Sequence, residues 1–251
     1  MSPWEAVGVF AAGIGAGTIN TVVGSGTLIT FPVLLAVGLP PVTANVSNTL
    51  GLVPGSISGA LGYREELRGQ RPRLLRLGSA SLLGGLLGAI LLMVLPADAF
   101  KAIVPVLIGI ALLMVVFQPR LATYLAAHRT EPVRAEGGVA LLLGVFATGI
   151  YGGYFGAAQG VLLLGLMGLL LDDDLQRINA TKNVLALLVN GVAAVFFLFA
   201  AHIDWTAALL IAAGAVLGGQ LGSRIGRRLP PTALRALIVA VGLAAMVKLL
   251  A

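Results

Sequence analysis

Eight stretches of about twenty mostly apolar residues constrain this chain more than anything else in it. They lie near 4–23, 43–62, 74–95, 99–118, 138–156, 179–201, 205–223 and 232–250. Twenty residues of helix rise about 30 Å, the thickness of a bilayer's hydrocarbon core. No water is available there to satisfy backbone N–H and C=O groups, so such runs must be helical. Hydrophobic residues make up 58% of the 251 positions and charged ones 10%, against roughly 45–50% and about 25% in a soluble domain. A water-soluble fold has too few polar groups here to cover itself. The expectation is an all-α, polytopic transmembrane bundle whose first partner is the lipid bilayer. The 34 glycines suit helices that pack closely in lipid. The opening Met1-Ser2-Pro3-Trp4-Glu5 lacks the basic region of a cleavable leader, so it reads as part of a mature first helix.

Two further apolar runs, 27–38 and 160–171, are too short to span. A twelve-residue helix covers only about 18 Å. They read as half-spans, re-entrant or tilted, joined closely to their neighbours.

Charge sets an orientation. Arg64, Arg68, Arg71, Arg73 and Arg76 follow the 43–62 run, Arg120, Arg129 and Arg134 follow 99–118, and Arg224, Arg227 and Arg228 close 205–223. Placing these three loops in the cytoplasm obeys the positive-inside rule and leaves both termini outside. The net charge of +6 is thereby read as topology, with no nucleic acid as partner.

An internal repeat is visible. A shift of 136 brings residues 9–55 onto 145–191 without a gap, and Gly13-Ile14, Gly17, Gly24 and Leu28 fall on identical residues. Further on a shift of 134 aligns Gly84-Gly85 and Leu95-Pro96 with Gly218-Gly219 and Leu229-Pro230. The arginine-rich loop after 43–62 matches His202-Ile203-Asp204-Trp205, which has no arginine or lysine, so the halves face opposite ways. The chain divides into a first repeat at 1–119, a cytoplasmic linker at 120–137 and a second, inverted repeat at 138–251. Whether the short segments give five plus five crossings or three plus three is left open by parity.

Inverted repeats with broken helices place transport sites at the breaks, near mid-membrane. Here the breaks are Gly24-Ser25-Gly26-Thr27 and Gln159-Gly160. Glycine lets backbone unwind and approach a ligand, and the helix start after each break offers N–H groups to an anion. Asn20 stands just before the first break. The helices that follow begin with a second matched set, Asn45, Ser47 and Asn48 against Thr181, Lys182 and Asn183. Lys182 has two readings, an intramembrane functional cation or a side chain snorkelling to the cytoplasmic face beside Asp172-Asp173-Asp174 and Arg177. The acidic triplet reads as a solvated loop, since three consecutive carboxylates do not converge on a metal.

Chemistry beyond transport finds little support. Cysteine is absent, which excludes thiolate ligands and disulfides, and His128 and His202 lack metal spacing. No phosphate loop is present. No enzyme and no cofactor are expected.

Gly13-Ile14-Gly15-Ala16-Gly17, then Gly24-Ser25-Gly26-Thr27-Leu28-Ile29-Thr30-Phe31-Pro32-Val33-Leu34-Leu35 and Pro41-Val42-Thr43-Ala44-Asn45 resemble the sulfite exporter TauE/SafE family, also called toluenesulfonate-uptake permeases. Gly191 through His202-Ile203-Asp204-Trp205, with Gly214, Gly218-Gly219 and Gly222, look like that family's second repeat. The resemblance covers nearly the whole chain. It implies a bacterial inner-membrane carrier, exporting by preference, for sulfite, organosulfonates or related small anions. The alternatives are an anion channel, or a carrier of another small carboxylate or inorganic anion. The second repeat departs from the family pattern, with Gly156-Ala157-Ala158-Gln159-Gly160 in place of the glycine triplet and Gly168 in place of the proline. Lys182 stands where the first half has Val46, so an anion site would be lopsided. Whether copies of the chain form a homo-oligomer is not legible.

Overall fold

The computed structural model describes residues 1–127 and 137–225, together with positions 236, 239, 240 and 243. Most of the expected span at 232–250 and half of the linker, including Arg129 and Arg134, lie outside the described residues, as do Arg227 and Arg228. The described chain is helical: α1 Pro3–Val22, α2 Thr27–Ala36, α3 Pro41–Gly62, α4 Arg71–Val94, α5 Ala97–Ala127, α6 Gly138–Tyr154, α7 Gln159–Leu170, α8 Leu175–Ala200 and α9 Trp205–Ile225. Local signals set several ends. Ser2 and Glu5 form a capping box at the start of α1, with Pro3 in its first turn. Asp174 accepts from the Gln176 N–H at the start of α8.

Five described helices are long and apolar enough to cross a membrane: α1, α4, α5 through Phe117, α8 and α9. This is fewer than the eight apolar runs suggest, because the run at 232–250 lies mostly outside the described residues and for two structural reasons. The 17-residue α6 stops early because the chain breaks after Tyr154. α3 has the length, at 22 residues, but carries Asn45, Ser47, Asn48 and Thr49, all buried. It is the interior helix, packed against both α8 and α9, and its polar face never meets lipid.

The direction of the short helices follows from packing. Gly13 of α1 and Gly51 of α3 both press on Ile211 of α9, and Gly17 and Gly55 both press on Ala215. α1 and α3 therefore run the same way, and α2 must carry the chain back between them. α6 and α8 likewise run parallel beside α4, with Gly149 and Gly153 against residues 81–85 and Thr181 and Val189 against Gln70 and Gly85. α7 makes that return. The 10- and 12-residue helices thus serve as return segments in a sequence of five helices from α1 to α5.

Each packing pair has a counterpart. α1 packs on α9 as α6 packs on α4, and α3 packs on α9 as α8 packs on α4. The contacts also correct the register read from sequence. Ile211, Gly214 and Ala215, which meet Gly13 and Gly17, stand 130 positions beyond Ser81, Gly84 and Gly85, which meet Gly149 and Gly153. The correspondence between α4 and α9 is 130, not 134. The difference of four residues is about one helical turn, so the same glycine-rich face lines up with itself at either offset.

Among the described residues, the arginine-bearing ends of α3, α4, α8 and α9 meet. Gly62 lies on Ser223, Arg177 donates to the carbonyls of Glu66 and Arg68, and Arg76 donates to that of Gly138.

Candidate functional site at the paired helix breaks

α1 stops at Val22 and α6 at Tyr154, both inside the bundle. The two breaks meet. Gly160 N–H donates to the Gly24 carbonyl at 3.0 Å, and a Cβ on either glycine would overlap the other's backbone. Gly24 has φ +91°, where a side chain is strained whatever the space. Residues 24 and 160 are partners under the shift of 136, so this contact joins a position to its own counterpart. Ala158 enters α7 at φ +59°, a left-handed conformation costing a non-glycine residue roughly 1–2 kcal/mol.

A helix that ends at depth leaves carbonyls without partners, and in lipid each such group is costly. The opposite half supplies the donors. Lys182 Nζ donates to the Asn20 carbonyl at 2.9 Å and to that of Thr21 at 3.3 Å. Asn179 Nδ2 and Asn183 Nδ2 donate to the same Thr21 carbonyl at 3.3 and 3.2 Å. At the other break Asn45 Nδ2 donates to the Tyr154 carbonyl at 2.9 Å, and Tyr151 OH donates to that of Ala157. The cation sits at the negative end of the α1 dipole, where the macrodipole favours it. Lys182 is fully buried.

Beside this crossing lies a small, narrow cleft lined by Asn20, Thr21, Gly24, Thr27, Ser56, Gly156, Gln159, Gly160, Asn183, Ala186 and Asn190. Gln159 is 3% exposed, and its Nε2 has no partner among the described residues; neither does Ser25 Oγ. A ring contact between Phe31 and Phe155, with centroids 5.1 Å apart at 84°, holds α2 against the second break.

Residues 9–249 match the family described as Sulfite exporter TauE/SafE. The chain belongs to this family. It is 31% identical over 97% of its length to a Sinorhizobium protein named "Probable membrane transporter protein ORF9", covering 91% of that protein. It is 28% identical to "Probable membrane transporter protein YfcA" of Escherichia coli K12, over 94% of this chain and 86% of the other. A Haemophilus influenzae "Probable membrane transporter protein" is 27% identical over 92% and 89%. No solved structure matches. As a TauE/SafE member this is a multi-pass membrane transporter.

Not all residues singled out in this TauE/SafE sequence reach the cleft. Asn20, Gly24, Thr27, Gln159, Gly160 and Asn183 line it. Gly26 N–H is capped by Asn20 Oδ1 at 2.7 Å, and Ser25 is buried beside it. Asn45 caps α6, as above. Asn48 bonds Thr30 and Thr27 of α2. Ser47 Oγ accepts from Asp204 N–H ahead of α9, and Thr181 donates to Gln70. Of the two readings of Lys182, snorkelling drops out, because the side chain is buried and reaches across to α1. One expectation is corrected. The N–H groups at the start of α7 do not stand free, because Gly24 takes that of Gly160 and Ala158 those of Val161 and Leu162. The available buried donor there is the Gln159 carboxamide. Ser56 and Asn190 were not anticipated. Asn190 had a signal, lying seven residues after Asn183 and hence on the same helix face.

The acidic triplet is not simply solvated. Asp173 bridges Arg73 at 2.6 Å and Arg177 at 2.8 Å, tying α4 to the start of α8. Burial alone raises the pKa of this loop carboxyl. Hydrogen bonds from Arg73, the Asp174 N–H and Arg177 outweigh that and hold it below the ordinary 3.8. A depressed carboxyl stabilises the fold fully above its unfolded pKa and loses that contribution as pH falls through the folded value. Asp173→Asn should therefore lower the detergent melting point at neutral pH, by about 1 kcal/mol of stability. The gap from wild type should narrow only below the ordinary carboxylate range. A pH-independent gap would count against the ion pair.

Proposed function

We propose that this chain is a secondary carrier, exporting by preference, for small sulfur-containing anions such as sulfite or organosulfonates. It sits in the bacterial inner membrane with both termini outside, and works by alternating access between two inverted repeats. The observation that carries this reading is the polar cleft at the crossing of the two breaks. Its lining is largely polar and uncharged, and Gln159, one of its residues, has a buried Nε2 with no hydrogen-bond partner among the described residues. Such a group costs free energy unless a ligand or water completes it, and oxyanion oxygens are the acceptors it lacks. The family description supports a sulfur substrate. The paired packing of α1 on α9 and α6 on α4 supports two interchangeable states, with Gly24 and Gly160 as the shared hinge. An interior-negative potential favours anion exit by about 2.3 kcal/mol per charge per 100 mV, so export needs no separate proton relay.

The test is flux into proteoliposomes holding the purified chain, with sulfite, sulfoacetate, thiosulfate and taurine as substrates. Saturable uptake with counter-transport is expected for at least one. If none moves or competes, the anion-carrier reading fails; flux without saturation would make the protein a channel.

A further inference from the structure

We infer that Asn190 is a substrate contact: its carboxamide, together with the free amide N–H groups of Asn20, donates to the oxygens of the transported anion. This rests on the carrier reading and names side chains that hold its substrate. α8, Leu175–Ala200, is one of the helices long enough to span. Asn190 lies about 22 Å along it, well inside the hydrocarbon layer. A carboxamide at that depth is costly unless something bonds it, and polar side chains there mark interior cavities and substrate paths. No group among the described residues bonds the Asn190 side chain. Its place on the helix settles where it points. Asn183, Ala194 and Phe197 share its face at helical spacing, and all three are buried. Val195 and Phe199, both exposed, lie on the opposite side. Asn190 itself is half-buried, and its open surface is that of the cleft it lines.

Asn20 supplies the second donor. Its Oδ1 accepts from the Gly26 N–H at 2.7 Å, a bond that only the oxygen of the amide can take. That fixes which end is the nitrogen, and Nδ2 is left without a partner in a half-buried residue of the same lining. Gln159 Nε2 and Ser25 Oγ are unpartnered atoms that are fully buried, but the amides of Asn20 and Asn190 are not of that kind; they have open surface. Other donors of the lining are already spent on carbonyls: Thr21 on Gly17, Ser56 on Leu52 and Asn183 on Thr21. No carboxylate lines the cleft among the described residues, so an incoming ligand must bring the acceptors. Because nothing bonds Asn190, either end of its amide can face inward, and an oxyanion turns the N–H groups toward itself. Under the shift of 136 Asn20 falls on Gly156 and Asn190 on Pro54, neither with a side-chain donor. The pair therefore exists once, and the bound anion sits off the axis relating the two halves.

The experiment exploits the lack of any protein partner for Asn190. The full chain in proteoliposomes is assayed for counter-flow of sulfite, sulfoacetate, thiosulfate and taurine, and those that the wild type exchanges are measured in two variants. Asn190→Ala and Asn190→Leu both remove the amide, the first leaving space and the second filling it. Neither loses a hydrogen bond within the protein, so the detergent melting point should not fall in either. The half-saturation concentration should rise at least about tenfold in both, the worth of one hydrogen bond to a charged oxygen. An unchanged half-saturation in Asn190→Ala overturns the assignment. A rise confined to Asn190→Leu also overturns it, because the bulkier side chain would then merely obstruct the cleft. Weaker exchange accompanied by a lowered melting point in both variants makes Asn190 a packing residue and overturns it as well. Each of those results leaves the carrier standing. If the wild type exchanges none of the four compounds, the carrier reading itself fails and takes this assignment with it.

Discussion

Gly24→Ala is expected to abolish anion flux and to cost roughly 2–5 kcal/mol of stability, the sum of left-handed strain and overpacking against backbone. The structure supplies its own control. Gly38, in the link between α2 and α3, has nearly the same conformation at φ +90°, yet an added Cβ there meets nothing within 4 Å. Gly38→Ala should therefore show only the strain, roughly 1–2 kcal/mol, and should still transport. Flux assays and detergent melting curves on the two variants separate conformation from contact. Equal behaviour of the two would mean that the Gly24–Gly160 crossing carries no special role. Gly160→Ala should resemble Gly24→Ala, since the overlap is mutual.

The second large effect is expected at Lys182. Lys182→Met keeps much of the side-chain volume but removes the donor to the Asn20 carbonyl, which has no other side-chain donor among the described residues. Thr21 retains Asn179 and Asn183. One buried acceptor left unsatisfied costs about 1–3 kcal/mol, so the variant should fold at reduced melting temperature and fail in flux. The pairing of those readouts matters. Flux lost with an unchanged melting point would make Lys182 a ligand contact only, and a lowered melting point with normal flux would make it a cap only.

The elements were legible where one chain property decides them. The long apolar runs among the described residues became helices, and the glycine cluster announced the first break, whereas the second, expected at Gln159-Gly160, lies at 155–158 just ahead of α7. The register between α4 and α9 was not legible, because Gly84, Gly85 and Gly88 repeat at helical spacing and match their counterparts a turn away as well as in place. α3 was readable as a helix but not as the interior one, since its low hydropathy acquires meaning only when α8 and α9 enclose it. Lys182 shows the deepest limit. Its partners are backbone carbonyls of α1, and a carbonyl has no letter in a sequence. Only the break at Val22 hinted that such acceptors would be left open. Ser56 entered the cleft from a helix face whose neighbours are set by tertiary packing alone.

The packing of α1 on α9, and of α4 on α6 and α8, has a consequence for how the protein is made. The glycines at 13, 17, 51 and 55 on α1 and α3, and those at 84, 85 and 88 on α4, find their partners in the other repeat. When the ribosome has delivered α1 to α5, the carbonyls of Asn20 and Thr21 have no α8 to meet, and Gly13 and Gly17 have no α9. The first half must wait in the bilayer with makeshift neighbours until the second is inserted. Maturation is thus a late, concerted zippering, and either half expressed alone should be degraded, while the two halves supplied as separate chains should rescue each other.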